Sequence, residues 1–267
     1  MSSSGVTEVA EPAGTRAPDR ASPLEGPAFY TLRGGGWRDL VNVIHPPYTA
    51  WHLANVGLGA AAASEIHADR LIATLAAFFL AVGISAHALD ELNGHPLKTQ
   101  LSDRVLIGMA AVALAGAVAI GVAGCFVVSA TVAPFVVAGG FIVVAYNLEL
   151  FGGRFHTDFW LAASWGAFPA LTSWWVNTLS FESTDVAAAG VLVAIGCYGL
   201  ARVQRRLSTP VRRLRRRTVS VSGEQRLDDG TVLPLSVEGI AAPLDGSLRT
   251  RSWAVVALSI GLVVLRL

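Results

Sequence analysis

The chain has 267 residues, of which 53% are hydrophobic and 15% are charged, and its formal net charge is +1. Soluble domains carry about 25% charged residues, so this composition excludes an ordinary soluble fold and indicates a polytopic membrane protein. The near-zero net charge does not by itself indicate any class of partner.

The first 40 residues are rich in Ser, Pro, Gly, Ala and charged side chains. They lack the apolar region of a secretory signal peptide, and a segment of this composition cannot bury enough apolar surface to fold. We predict that residues 1–40 form a disordered cytoplasmic tail.

Seven apolar segments follow the tail, and most approach the roughly 20 residues that a helix needs to cross the hydrocarbon core. None shows the strand-length alternation of a barrel, so each is predicted to be a helix. The predicted fold class is an all-α, polytopic transmembrane helical bundle of about seven helices. The segments lie near 47–66, 70–90, 104–124, 126–147, 158–178, 185–202 and 252–267.

The distribution of Lys and Arg predicts the orientation. With the N-terminus in the cytoplasm, only Arg70 and Arg266 of the 20 Lys and Arg residues fall outside the cytoplasmic side. The positive-inside rule therefore predicts a plasma (inner) membrane protein with a cytoplasmic N-terminus. A basic cytoplasmic loop is expected at 206–251 and a C-terminal transmembrane helix at 252–267. The loop arginines are expected to contact anionic membrane lipids, and no nucleic-acid partner is expected beside the bilayer.

A group of ionisable residues stands where the second apolar segment ends. His87, Asp90 and Glu91 share one helical face, because they are spaced i, i+3 and i+4. Such residues at the rim of a membrane helix are costly unless they have partners, water or a ligand. We predict that these three residues are catalytic; the alternative is that they cap the helix or face headgroups.

A second polar set follows the fourth segment, and the predicted topology places it on the same side of the membrane. The two sets can therefore line one cavity. His45 and His52, one heptad apart at the start of the first segment, enter from that side as well. The second set comprises Tyr146, Asn147, Glu149, Arg154, His156 and Asp158.

Three sequence features together resemble the UbiA superfamily of intramembrane prenyltransferases. HPLKTQLS at 95–102 follows the second helix, YNLEL at 146–150 follows the fourth, and Gly166 and Pro169 stand in the fifth. Their order, spacing and sidedness are similar to the pattern of that family over roughly residues 40–205. The resemblance implies a UbiA-like transmembrane bundle at 41–205.

The resemblance also implies a chemistry. In that family two aspartate-rich motifs hold Mg²⁺ ions that bridge an isoprenyl diphosphate and neutralise its departing charge. Here His87 and Asp90 occupy the two leading aspartate positions of the first motif, and Gly94 occupies the third. The second motif is replaced by Gln204–Pro210, which contains no carboxylate.

These departures leave three alternatives open. The first is a prenyltransferase-like enzyme, for which Mg²⁺ is the expected cofactor. In such an enzyme arginines can also bind the diphosphate oxygens bidentately without a metal. Mixed imidazole and carboxylate ligands suit Zn or Fe instead, as in a membrane metalloenzyme. The third alternative is a non-catalytic homologue that binds lipid. The predicted metal ligands are His87, Asp90, Glu91, His95, Glu149, His156 and Asp158.

The expected partners are membrane lipids and an isoprenoid or related lipid substrate, while the acceptor and the oligomeric state are left open. Cys125 and Cys197 are expected to be small buried hydrophobes. The predicted substrate-binding residues are Asn93, His95, Lys98, Tyr146, Asn147, Arg154, Arg205, Arg206, Arg212 and Arg213.

Overall fold

A computed structural model describes residues 26–181 and 183–267. Over these residues the chain is helical, apart from connecting segments and one short hairpin. The helices are α1 (Trp37–Ile44), α2 (Pro46–Ala61), α3 (Ala68–Phe78), α4 (His87–Leu92), α5 (Asp103–Val127), α6 (Ala133–Asn147), α7 (Leu150–Gly153), α8 (Asp158–Ala162), α9 (Phe168–Thr178), α10 (Thr184–Arg217) and α11 (Val237–Arg266).

The described part of the chain contains five helices that are long and apolar enough to cross a membrane, so this is an integral membrane protein. They are Ala68–Leu92, Asp103–Val127, Ala130–Asn147, Thr184–Arg217 and Val237–Arg266. Each of the seven predicted segments contains a helix. The other two helical stretches, α2 and 158–178, do not meet the same criteria, so the count of seven spans stays a prediction.

Two continuous helices contain π-helical segments. Phe79–Ala86 joins α3 to α4 in one continuous helix, and Ala163–Ala167 joins α8 to α9. A π-helical turn perturbs the regular backbone hydrogen bonding, and such turns are frequent at functional sites. The Trp165 carbonyl oxygen lies 2.8 Å from His52 Nδ1 and accepts a hydrogen bond of 3.2 Å from Asn55 Nδ2.

Helix α2 packs closely against α9 and α11. A Cβ at Gly59 would overlap the backbone of Ala170, and one at Gly57 would overlap the side chain of Ser259. The two glycines therefore allow α9 and α11 to approach α2 on different sides. This packing fixes where α2 presents His52.

The segment before α2 is ordered from residue 26 onward. Asn42 is buried and exchanges hydrogen bonds with the backbone of Leu32, at 2.8 and 3.0 Å. Asp39 Oδ2 accepts a hydrogen bond of 3.0 Å from the Gln100 amide. The predicted disordered tail of 1–40 is therefore corrected over 26–40, because these side chains tie the segment to the bundle. Residues 1–25 lie outside the described residues.

The predicted basic loop at 206–251 is largely helical. Helix α10 continues to Arg217 and α11 begins at Val237, well before the predicted start of the C-terminal helix at 252–267. An Arg215–Asp245 ion pair of 2.6 Å, with both side chains nearly buried, joins these extensions. Between the helices, β1 (Glu224–Arg226) pairs antiparallel with β2 (Val232–Pro234).

Candidate functional site

Three histidines from different parts of the chain lie together at one end of the bundle. His45 joins α1 to α2, His52 lies on α2, and His87 begins α4. The rings of His45 and His87 are stacked with centroids 4.3 Å apart, and the rings of His52 and His87 are 6.4 Å apart. His45 has a left-handed φ of 51°, which sets the sharp turn into the Pro46-Pro47 start of α2.

The ordered N-terminal segment adds a tyrosine to this group. The Tyr30 hydroxyl lies 2.9 Å from His45 Nδ1. The Tyr30 ring packs against the Tyr48 ring of α2, with centroids 5.3 Å apart. His45 Nε2 is buried and has no hydrogen-bond partner among the described residues.

Burial and neighbouring charges keep His45 and Tyr30 neutral. Burial, followed by His87 and Arg216, lowers the pKa of His45 well below its ordinary value of 6.5. Burial, followed by Tyr48, raises the pKa of Tyr30 well above its ordinary value of 10.0. At neutral pH both groups are uncharged, so their contact is a neutral hydrogen bond.

The same region contains one carboxylate and several arginines. Asp90 interacts electrostatically with His87 and with Arg212 of α10. Arg205 precedes Arg212 in α10. Both Arg205 and Asp90 interact electrostatically with Tyr146. We call this group the polar cluster: Tyr30, His45, Tyr48, His52, His87, Asp90, Tyr146, Arg205 and Arg212.

Counted together with Asp158 and its ion-pair partner Arg202, the polar cluster has three arginines against two carboxylates, so it is positively charged when its histidines are neutral. Asp158 engages Arg205 from the side, with Arg205 Nε donating to its Oδ1 at 2.8 Å. Arg206 and Arg213, which the sequence predicted as phosphate contacts together with Arg205 and Arg212, are exposed on the outer faces of α10. The structure therefore brings two of the four predicted arginines to the cluster.

Glu91 occupies a different place from His87 and Asp90. Its carboxylate is fully buried and accepts hydrogen bonds from the Leu97 amide at 2.9 Å, the Thr99 amide at 3.0 Å and the Thr99 hydroxyl at 2.8 Å. It thereby holds the loop after α4, in which His95 and Lys98 have positive φ values of 47° and 56°. Both carboxylate oxygens of Glu91 are therefore occupied by hydrogen bonds that shape this loop.

The remaining predicted residues of the first loop lie on the rim of the site. His95 Nε2 lies 3.1 Å from Asp103 Oδ1, and Lys98 is exposed. Asn93 Nδ2 donates to the Asn147 carbonyl at 3.3 Å. This bond joins the loop after α4 to the loop after α6.

The second predicted set is also mostly at the rim. The His156 ring stacks on Tyr146 with centroids 4.5 Å apart, and its Nδ1 lies 3.0 Å from the Tyr146 carbonyl oxygen. Glu149 lies 3.8 Å from His156, and Arg154 is exposed. Within the described ranges no group of three His, Cys, Asp or Glu side chains is placed to hold a metal ion. The predicted metal ligands are instead distributed over separate pairs.

An apolar cavity lies between α3, α5, α6 and α9. It measures about 880 Å³ including its open mouth. Val82, Val143 and Trp165 line the end near the polar cluster, and Arg70 lines the opposite end. The Trp165 ring also packs edge-to-face on Tyr146 at 5.6 Å and on His52 at 6.5 Å. Trp165 is therefore a shared wall between the cavity and the polar cluster.

Sequence reasoning missed Tyr30, because it lies in a segment whose overall composition indicates disorder. The adjacent aromatic residues Phe29 and Tyr30, which interrupt a run of small and polar residues, are the signal that could have found it. Their rings contact Tyr48 in the structure.

Comparison with known proteins adds no relative to this picture. No protein-family model matches the chain, and no curated protein or solved structure matches it.

Proposed function

We propose that this chain is a divergent UbiA-like protein of the plasma membrane that binds and acts on an isoprenoid lipid with an anionic head, such as a prenyl diphosphate. Its N-terminus would lie in the cytoplasm. The observation that carries the proposal is the shared wall at Trp165, where a large apolar cavity adjoins a cationic polar cluster. An amphiphile with one long tail and one charged head matches that arrangement.

The tail side of the proposal rests on the lining of the cavity. Apart from Arg70 and two threonines, the described residues that line it are apolar or glycine. Each methylene moved from water into such a site contributes about 0.8 kcal/mol, but a tail arriving from lipid gains little from this effect. Shape and contact with the aromatic walls must therefore select the tail.

The head side rests on charge. Arg205 and Arg212 belong to the polar cluster, and Arg205 already binds one carboxylate, that of Asp158, through its Nε. Guanidinium groups bind phosphate oxygens in a bidentate manner. Asp90 is the one acidic residue of the polar cluster. A complete carboxylate set for Mg²⁺ is not assembled by the described residues, so we assign the head group to the arginines. Since the described residues assemble no group of three His, Cys, Asp or Glu side chains, they also give no specific support to a Zn or Fe enzyme.

Two variant pairs test the proposal in nanodiscs with farnesyl diphosphate as the probe. Ala77 lines the cavity, whereas its neighbour Ala76 is exposed on the lipid side. Ala77→Phe should fill the cavity and lower the affinity at least tenfold, while Ala76→Phe should not. Arg212→Gln should weaken binding and the exposed Arg213→Gln should not. Equal affinities within both pairs would overturn the proposal.

The same preparation separates an enzyme from a binding protein. With a membrane lipid extract as the source of acceptor, an enzyme releases diphosphate, and Asp90→Asn should stop the release while binding remains. Adding EDTA distinguishes arginine-based binding, which persists, from Mg²⁺-based binding, which is lost. A wild-type protein that binds the probe but releases no diphosphate supports the non-catalytic alternative.

A further inference from the structure

Arg70 is an unusual residue for its position. It lines the apolar cavity at the end farthest from the polar cluster, and it is the one charged residue among the described residues that line it. Its Nη1 donates a hydrogen bond of 3.0 Å to the Val176 carbonyl of α9. The side chain therefore crosses from α3 to α9 at that end of the cavity.

The distance from Arg70 to the other end of the cavity follows from helix geometry. Arg70 and Val82 lie on one continuous helix, and at 1.5 Å per residue they are separated by about 18 Å. Trp165 and Val176, on the facing helix, are separated by about 16 Å on the same basis. The cavity thus extends over roughly half of the ~30 Å hydrocarbon thickness.

A tail that reached beyond this length would meet the guanidinium of Arg70. Pressing an apolar chain end against it would strip water from a charged group and disturb its bond to Val176, and both effects are unfavourable. A tail that stops short of Arg70 avoids both.

We propose that Arg70 is a specificity-determining residue, which closes the far end of the cavity and sets the longest isoprenoid tail that binds within it. This inference rests on the proposed function and adds the tail-length limit to it. It also gives a role to one of the two basic residues that depart from the positive-inside pattern.

The test compares the affinities of geranyl, farnesyl, geranylgeranyl and solanesyl diphosphate for the wild type and for Arg70→Met in nanodiscs. Methionine is unbranched and apolar and is a good helix former, so the helix should persist. For the wild type we expect the affinity to fall once the tail exceeds the cavity. For Arg70→Met we expect the affinity for the tails beyond that limit to rise at least tenfold relative to geranyl diphosphate, with Arg70→Lys staying close to the wild type.

A second variant keeps the test decisive if Arg70→Met does not fold. Gly124 lines the same end of the cavity, and a Cβ there would lie 3.9 Å from Val132, an ordinary van der Waals contact. The backbone there can therefore carry a Cβ, and the larger side chain of Gly124→Leu should fill part of this end and move the limit to shorter tails. If the wild type binds the probes but neither variant changes the length dependence, this inference is wrong while the proposed function stands. If the wild type binds no probe, both fail.

Discussion

The imidazole rings of His45 and His87 lie stacked, with centroids 4.3 Å apart and planes 8° from parallel. Two protonated rings could not be held in this way without strong repulsion, so the contact requires at least one neutral imidazole. The contact joins the start of α2 to the start of α4, two elements far apart in the chain. It is the centre of the polar cluster.

Acidification should therefore destabilise the protein. Burial lowers the pKa of His45 well below 6.5, so below about pH 6.5 the unfolded state binds a proton that the folded state does not. The contribution of His45 to stability should be constant above that pH and should fall as the pH decreases towards the lowered folded-state pKa. Thermal unfolding in detergent from about pH 8 to about pH 5 measures this.

His45→Asn is the matched variant for that titration, because Asn tolerates the left-handed backbone at this position. It removes the titrating ring, so its melting temperature should depend less on pH than that of the wild type. His87 and His52 face the same site, and Arg212 and Arg216 act on His45. A residual slope from those groups is expected; an unchanged slope would contradict the assignment to His45.

Tyr30→Phe should lower stability, because it removes the hydroxyl that lies 2.9 Å from His45 Nδ1. A buried polar atom left unsatisfied costs about 1–3 kcal/mol. The melting temperature should fall, and limited proteolysis should cut the segment before α1 faster. Tyr198→Phe, outside the polar cluster, is the control. Equal protease sensitivity of both variants would show that Tyr30 does not hold this segment.

Glu91→Gln should loosen the loop after α4. The wild-type carboxylate accepts three hydrogen bonds from Leu97 and Thr99, and hydrogen bonds to a charged group contribute about 1.5–3 kcal/mol each. Amide hydrogen exchange at 97–99 should become faster. Glu149→Gln, at an exposed position in the loop after α6, should leave amide exchange at 97–99 unchanged. If protection at 97–99 survives Glu91→Gln, the loop is held by other contacts.

Arg266→Leu should destabilise the end of α2. The guanidinium donates to the carbonyls of Ala61, Ala63 and Ser64, at 3.3, 2.7 and 3.0 Å. A cation at a helix C-terminus contributes about 0.3–1 kcal/mol, and these carbonyls lose their donor in the variant. Faster hydrogen exchange near 61–66 would report the change. Arg266→Lys keeps the charge, so its exchange rate near 61–66 should lie between those of the wild type and of Arg266→Leu.

The helical bundle could be predicted from sequence because lipid imposes one solution on long apolar segments. The ends of α10 and α11 could not, since their extensions are basic and polar and depend on tertiary contacts such as Arg215–Asp245. The order of residues 26–40 escaped prediction for the same reason. Its buried anchors, Asp39 and Asn42, bond to backbone that the sequence does not place nearby.

The candidate site was predictable in part. The predicted topology placed the two polar sets on the same side of the membrane, and one hydrogen bond, Asn93–Asn147, joins their loops. Sequence spacing could not separate Asp90, a member of the polar cluster, from Glu91, whose carboxylate accepts hydrogen bonds from the loop after α4. That difference depends on how the chain after α4 folds back, and the positive φ values of His95 and Lys98 set that path.

The most direct test of the central claim is photocrosslinking with a farnesyl diphosphate analogue that carries a diazirine at the tail end. The account predicts labelling on the cavity walls, at Phe168 or Val136, and loss of the label when unlabelled farnesyl diphosphate competes. Arg212→Gln should reduce the same label. Labelling confined to lipid-exposed side chains such as Phe126 and Val112, with no competition, would contradict the account.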